Sequence, residues 1–234
     1  MAQEETSNAI ETINKIENFL NIQKTLYGNT IIKNETEMKK TKSAKWAEAT
    51  TLEELYSKIN KCQKCSLGET RINFVFGTGN KNADIMLIGE APGADEDEQG
   101  IPFVGRAGQL LTKILEAVNI KRDDVYICNI LKCRPPQNRA PLPEEMETCE
   151  PYLKKQIELV KPKLILCLGR VSAHALLQSK ESLTDLREKT HYYQNIPTIV
   201  TYHPAALLRN PNWKIPTWED VKNFKKLYES LSKK

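Results

Sequence analysis

The sequence lacks what would place it in a membrane or a secretory pathway. Its longest strongly apolar runs, Ile85-Met86-Leu87-Ile88 and Leu164-Ile165-Leu166-Cys167-Leu168, fall far short of the roughly 20 residues a spanning helix needs. Residues 1–30 carry Glu4, Glu5, Glu11 and Glu17 and no apolar h-region, so no secretory signal is expected and the expected compartment is the cytoplasm. Excess charge is scarce too. Thirty-four Lys and Arg against 30 Asp and Glu leave a formal +4, which permits a polyanionic partner without requiring one. No internal repeat is evident, and histidine occurs only three times. With 40% hydrophobic and 27% charged residues over 234 positions, the chain has an ordinary globular balance. Its length allows one good-sized domain or two small ones.

Two stretches differ in character. Within 1–50, Ile10, Ile13, Ile16, Phe19, Leu20 and Leu26 recur at mostly three- and four-residue steps, the pattern of a helix with one apolar stripe. Gly28-Asn29 ends it, and a Lys-, Glu- and Thr-rich segment follows. Residues 1–50 therefore read as a helical extension and linker, and 51–234 as the domain that carries the chemistry. Thr51-Leu52-Glu53-Glu54 has the cap and acidic first turn of a helix that would end near Cys62. Beyond it, apolar strands are expected at 84–89, 125–130, 163–169 and 197–202. Helices are expected at 108–118, 143–160, 172–177 and 218–231. Short all-apolar strands alternating with amphipathic helices predict one α/β/α sandwich around a central, mostly parallel four-stranded sheet. Ligands of such sheets bind beyond the carboxyl ends of the strands. The four exits are Gly89-Glu90, Cys128-Asn129, Gly169-Arg170 and Tyr202-His203, so a carboxylate, an amide, a guanidinium and an imidazole are expected on one rim.

Six cysteines in a reducing compartment point away from a disulfide framework. Cys62-Gln63-Lys64-Cys65 is a CxxC, and Cys133 and Cys149 lie in polar or proline-rich surroundings. Four thiolates suit zinc or a [4Fe–4S] cluster. Spacing alone does not choose, though a second pair that is not a CxxC argues against a zinc ribbon. A CxxC alone can also be a redox pair, with Cys133 and Cys149 unrelated. Cys128 and Cys167 sit inside apolar strands, where a free cysteine acts as a small hydrophobe.

The segment 89–100 is a loop rich in Gly, Pro, Asp and Glu, too acidic to cradle a phosphate. Phe103 follows among small residues, placed either to stack on a planar ligand or to anchor the core. Asn129 offers a donor and an acceptor, the complement of a pyrimidine edge, or else serves a turn. His203 precedes Pro204 at a strand exit, whereas His174 and His191 have no such setting.

Together these motifs resemble the family 4 uracil-DNA glycosylases, the iron–sulfur branch of the uracil-DNA glycosylase superfamily. The matches are Gly89-Glu90-Ala91-Pro92-Gly93, the 99–105 segment, Asn129 with Lys132-Cys133-Arg134-Pro135-Pro136, the 203–209 segment and the four cysteines, in order over about 52–231. The resemblance implies a DNA-repair hydrolase that flips uracil out of DNA and hydrolyses its N-glycosidic bond, leaving an abasic site for downstream base-excision enzymes. It implies a [4Fe–4S] cluster on Cys62, Cys65, Cys133 and Cys149, acting as a staple for the 132–139 loop. Phe103 would stack on uracil, Asn129 would read its Watson–Crick edge, Glu90 and Ala91 would line the pocket and His203 would bond O2. Glu90, then Glu96, would be the carboxylate that stabilises the sugar cation or positions water. Ala91 stands where the better-known branch has a water-activating aspartate, so no general base is assigned. Leu207 would wedge into the vacated stack, while Lys132, Arg134 and Arg209, with Arg139 and Arg170 nearby, would meet phosphates. A monomer is expected. The competing readings are a non-catalytic iron–sulfur or zinc DNA-binding module on the same scaffold and, more remotely, an electron carrier.

Overall fold

In the computed structural model, which describes residues 44–232, the four apolar runs become the inner strands of one sheet. In chain order its strands are β1 (Thr78–Gly79), β2 (Ile85–Gly89), β3 (Tyr126–Asn129), β4 (Leu164–Leu168), β5 (His191–Tyr193) and β6 (Ile196–Thr201). Their spatial order is β1-β3-β2-β4-β6-β5. The four inner strands pair in parallel, while β1 and β5 add antiparallel edges. The four-stranded parallel sheet expected above is thus the centre of a six-stranded one. Neither edge was legible, because β1 is two residues long and β5 is a polar His191-Tyr192-Tyr193 without an apolar run.

Side chains alternate across the pleat, and here both faces are apolar. Met86, Ile88, Cys128, Ile165, Cys167 and Val200 pack into one core; Ile85, Leu87, Ile127, Leu164, Leu166 and Ile199 pack into the other. Cys128 and Cys167 are core residues, as their strand context predicts. Each fully buried aliphatic side chain contributes about 1.5–3 kcal/mol, so the strand positions are fixed firmly enough to hold their exits in register.

The helices are α1 (Leu52–Ile59), α2 (Leu67–Thr70), α3 (Ala94–Gln99), α4 (Arg106–Ala117), α5 (Pro143–Val160), α6 (Arg170–Leu177), α7 (Leu183–Arg187), α8 (Pro204–Arg209) and α9 (Lys214–Ser232). Thr51 caps α1 by accepting the Glu54 N–H at 3.1 Å. The helix stops at Ile59, so Cys62 lies in the turn beyond it. The acidic stretch expected to be loop throughout contains α3, whose only buried residue is Asp97. Asp97 Oδ1 accepts the Ile72 and Asn73 N–H groups, so a polar anchor substitutes for an apolar stripe. Trp46 packs against the core and Ala49 is buried within it; the helical pattern at 10–26 lies outside the described residues.

Candidate active site

The chain leaves β2 for β3 on one side and later places β4 on the other, so the carboxyl end of β2 is the switch point where open α/β sheets bind ligands. A cavity of about 360 Å³ lies there, and Glu90, Ala91, Phe103, Asn129, His203 and Arg209 all contribute to its wall. Three of the four expected rim residues, Glu90, Asn129 and His203, therefore meet in one place; Arg170, at the exit of β4, lines a separate cavity with Pro143, Glu147 and His174 instead. Pro135, Asn138, Arg139 and Ala205 also line it. Of these, the sequence marks only Arg139 as a rim cation, because the others have no chemistry that stands out by type.

Asn129 ends β3 opposite Gly89. It is 2% exposed, and its side-chain Oδ1 has no hydrogen-bond partner. Burying an unpaired acceptor costs about 1–3 kcal/mol, which a ligand N–H would recover. Phe103 is 5% exposed rather than a surface ring, and it adopts φ +55°. It is both a core anchor and a wall of the cavity. Gly89 permits this arrangement: a Cβ there would sit 2.3 Å from Asn129 Oδ1 and 2.6 Å from Phe103 Cζ.

His203 caps α8, its Nδ1 accepting the Ala205 N–H at 3.2 Å. That bond leaves the ring proton on Nε2. Enclosure by the protein, assisted by the Arg209 charge, pulls the imidazole pKa down to about 4, so at neutral pH the ring is an uncharged donor. Its centroid lies 5.4 Å from that of Phe103. His174 and His191 bond the backbone carbonyls of Glu181 and Leu186, as structural histidines do. Glu90 is half-buried. Desolvation raises its pKa, against the opposing pull of Arg170 and Arg209.

Three expectations change. Glu96 lines the cavity, but its carboxylate is committed: Oε1 accepts Val104 and Gly105 N–H at 2.9 and 3.0 Å, and Oε2 accepts Gly93 N–H at 3.1 Å. It clasps two loops together and offers no free carboxylate for catalysis. Lys132 is fully buried, with Nζ on the Asn129 carbonyl at 2.7 Å and Gln156 Oε1 at 2.5 Å, so it cannot reach a phosphate. Leu207 is 1% exposed whereas Leu208 is 41% exposed. One helical step of about 100° turns Pro204 and Leu207 inward and Leu208 outward, so Leu207 is a core residue and Leu208 is the leucine exposed to solvent. Arg209 is exposed at the rim, and Arg134 donates to Asn138 Oδ1 at 2.8 Å. Arg139 is held bidentately by Glu145.

The four cysteines expected to form a cluster share one neighbourhood. Cys133 senses the charges of Cys62 and Cys65, and Cys149 senses Cys133 and Cys65. Donors point at the sulfurs: Arg71 Nη1 lies 3.3 Å from Cys133 Sγ, and the Tyr152 hydroxyl 3.3 Å from Cys62 Sγ. Burial pushes the Cys149 thiol up to about 12 and raises Cys133 as well, so these thiols surrender protons only to an electrophilic centre. Among the described residues no three His, Cys, Asp or Glu side chains close around a single metal ion. Arg71, which no motif marked, holds this neighbourhood together by also donating to the Cys62 and Asn60 carbonyls.

An α/β sandwich that gathers a ring, an amide with an unpaired oxygen and an imidazole at the carboxyl edge of its sheet has the shape and the polar groups to hold one planar, polar ligand. Comparison with known proteins narrows that class. Residues 76–231 match the model of the uracil DNA glycosylase superfamily. The type-4 uracil-DNA glycosylase of Archaeoglobus fulgidus is 44% identical over 192 residues, covering 79% of this chain and 95% of that protein. Those of Pyrobaculum aerophilum and Thermotoga maritima are 46% and 44% identical over 181 and 161 residues, covering 74% and 68% of this chain and 92% and 84% of theirs. The chain belongs to the uracil-DNA glycosylase superfamily, in its type-4 branch.

Proposed function

We propose that the chain is a uracil-DNA glycosylase of base-excision repair, which receives a uracil nucleotide flipped out of DNA and hydrolyses its N-glycosidic bond. The observation that carries this reading is the unpaired, buried Asn129 amide facing a cavity that the Phe103 ring and the neutral His203 share. Asn129 Oδ1 accepts uracil N3–H and its Nδ2 donates to O4. Cytosine presents the opposite pattern at both positions and leaves buried groups unpaired, the situation in which sites discriminate most strongly. Phe103 stacks on the base, an interaction worth about 1–3 kcal/mol. As the C1′–N1 bond breaks, its electron pair leaves with uracil and negative charge gathers at O2, where His203 Nε2–H donates. That bond strengthens in the transition state, so it lowers the barrier. Glu90, ionised, stabilises the positive sugar, and water adds its oxygen to C1′ and releases a proton to solvent. Ala91 shapes the wall without chemistry of its own.

Cys62, Cys65, Cys133 and Cys149 hold a [4Fe–4S] cluster. When bound, it serves as a staple for the 133–149 segment, which brings Pro135 and Asn138 to the cavity. The donor set supports this: four thiols in one neighbourhood with N–H and O–H groups aimed at sulfur. Leu208 fills the space left by the flipped nucleotide, and Arg134, Arg209 and Arg170 meet phosphates. The chain acts as a cytoplasmic monomer, residues 51–234 carry the catalysis, residues 1–50 are an extension that supplies no catalytic residue although Trp46 and Ala49 pack on the core, and downstream base-excision enzymes take the abasic site. The test separates binding from chemistry. His203→Ala is expected to cut excision about 10²–10³-fold, and Asn129→Asp to do so at least as severely, while both retain affinity for a uracil oligonucleotide. Equal loss of binding and excision would refute these roles.

A further inference from the structure

Lys132 is among the largest fully buried side chains of the described residues, and it forms no ion pair with any described carboxylate. A buried ammonium is costly unless an anion or dipoles compensate it. The groups that meet Nζ are neutral oxygens, the Asn129 carbonyl and Gln156 Oε1. Gln156 is itself fixed, donating to the Phe76 carbonyl at 2.9 Å and the Tyr126 hydroxyl at 3.1 Å. The residues gathered around Lys132 carry sulfur: Cys149 receives its backbone N–H, and Cys128 precedes Asn129, whose carbonyl Nζ bonds. Lys132 immediately precedes Cys133, and its own carbonyl is held by the Val75 N–H at 2.8 Å. One residue therefore ties Asn129, which faces the cavity, through its side chain and the cysteine neighbourhood through its backbone.

We infer that Lys132 is the buried counter-cation of the cluster and, through its bond to the Asn129 carbonyl, the positioning residue that holds the base-reading amide in place. This rests on the reading that the four cysteines carry a [4Fe–4S] cluster. Four thiolates leave such a cluster anionic, and each added electron makes it more so. A fixed positive charge beside it favours the reduced state and retention of the iron, as outer-shell groups do at metal sites. Arg71 supplies a second cation, from a more exposed position.

The test uses the full chain prepared without oxygen. Iron and acid-labile sulfide are measured first, then the reduction potential, the rate of cluster loss in air, and kcat and KM for a uracil oligonucleotide. Lys132→Met removes the charge and keeps the length. It is expected to lower the potential, speed cluster loss about 10–100-fold and reduce kcat by a similar factor. Gln156→Glu keeps Lys132 in place but sets a carboxylate against Nζ, and it is expected to lower the potential as well, which covers the case in which Lys132→Met does not fold. Wild-type potential and loss rate in the folded variants would overturn the inference alone. Wild-type protein without iron and sulfide would overturn the cluster reading and the inference with it.

Discussion

Glu90 lies at the cavity wall with Arg170 and Arg209 close enough to act on its charge, yet desolvation prevails and its pKa is raised. A carboxyl that binds its proton more tightly folded than unfolded favours the folded state at low pH. That contribution is lost as pH rises from the ordinary carboxylate range through the raised value. Ionising Glu90 therefore costs stability, and the anion proposed to stabilise the sugar cation forms only as pH rises through that raised value. A pH series of kcat/KM should show excision climbing at pH above the ordinary carboxylate range as Glu90 ionises, and Glu90→Gln should abolish that limb, lower activity and melt no lower than wild type at pH 7.5. A profile with the same limb in Glu90→Gln would assign it to another group. Asn129 and His203 were legible from sequence because each stands at a strand exit, where residue type and position say the same thing. Lys132 and Leu207 were not. Lysine is almost always a surface residue, and whether Leu207 or Leu208 faces outward depends on the helical phase of α8, which six residues cannot announce.

α3 shows how an element can be held by polar groups alone. Glu96 within it accepts three backbone N–H groups from the turns at Gly93 and Val104-Gly105, next to Phe103 in its left-handed conformation. Gly108 gives Phe103 room, since a Cβ there would meet the Phe103 carbonyl oxygen at 1.8 Å. Glu96→Ala leaves three donors unpaired, each costing about 1–3 kcal/mol if it stays buried. The expected result is a KM raised about tenfold with kcat changed less, and partial rescue by Glu96→Gln, which keeps one acceptor. Loss of kcat alone would return Glu96 to the chemistry. Nothing in the sequence pattern marked α3, because period and apolarity are what reveal helices and it has neither. Trp46 and Ala49 make a similar point at the other end. Trp46 packs edge-on against Tyr152 with centroids 4.9 Å apart, and Ala49 is 1% exposed. Chains beginning at residue 44 and at residue 51 should therefore differ in thermal denaturation, the shorter being less stable by about 1–3 kcal/mol.

At the scale of the molecule, a formal +4 is small, so affinity for DNA depends on where cations stand rather than on their number. Arg209 is exposed at the cavity rim. If it neutralises one phosphate, Arg209→Ala should reduce the slope of log affinity against log salt by about 1 without changing the preference for uracil; an unchanged slope would remove it from the interface. The parallel sheet and its ligand edge were readable because apolar runs and strand exits are local. The cysteine neighbourhood was readable as a grouping by residue type, but Arg71, Tyr152 and Gln156, which surround or brace it, act through contacts across the fold and carry no local signal. The central claim, that this cavity receives uracil and the chain releases it, is tested most directly by incubating the intact protein with an end-labelled oligonucleotide carrying one uracil, beside its cytosine counterpart, and cleaving abasic sites with alkali. Cleavage at uracil and none at cytosine is the expected result. No cleavage of the uracil strand by protein that holds its cluster and binds that strand would contradict the account.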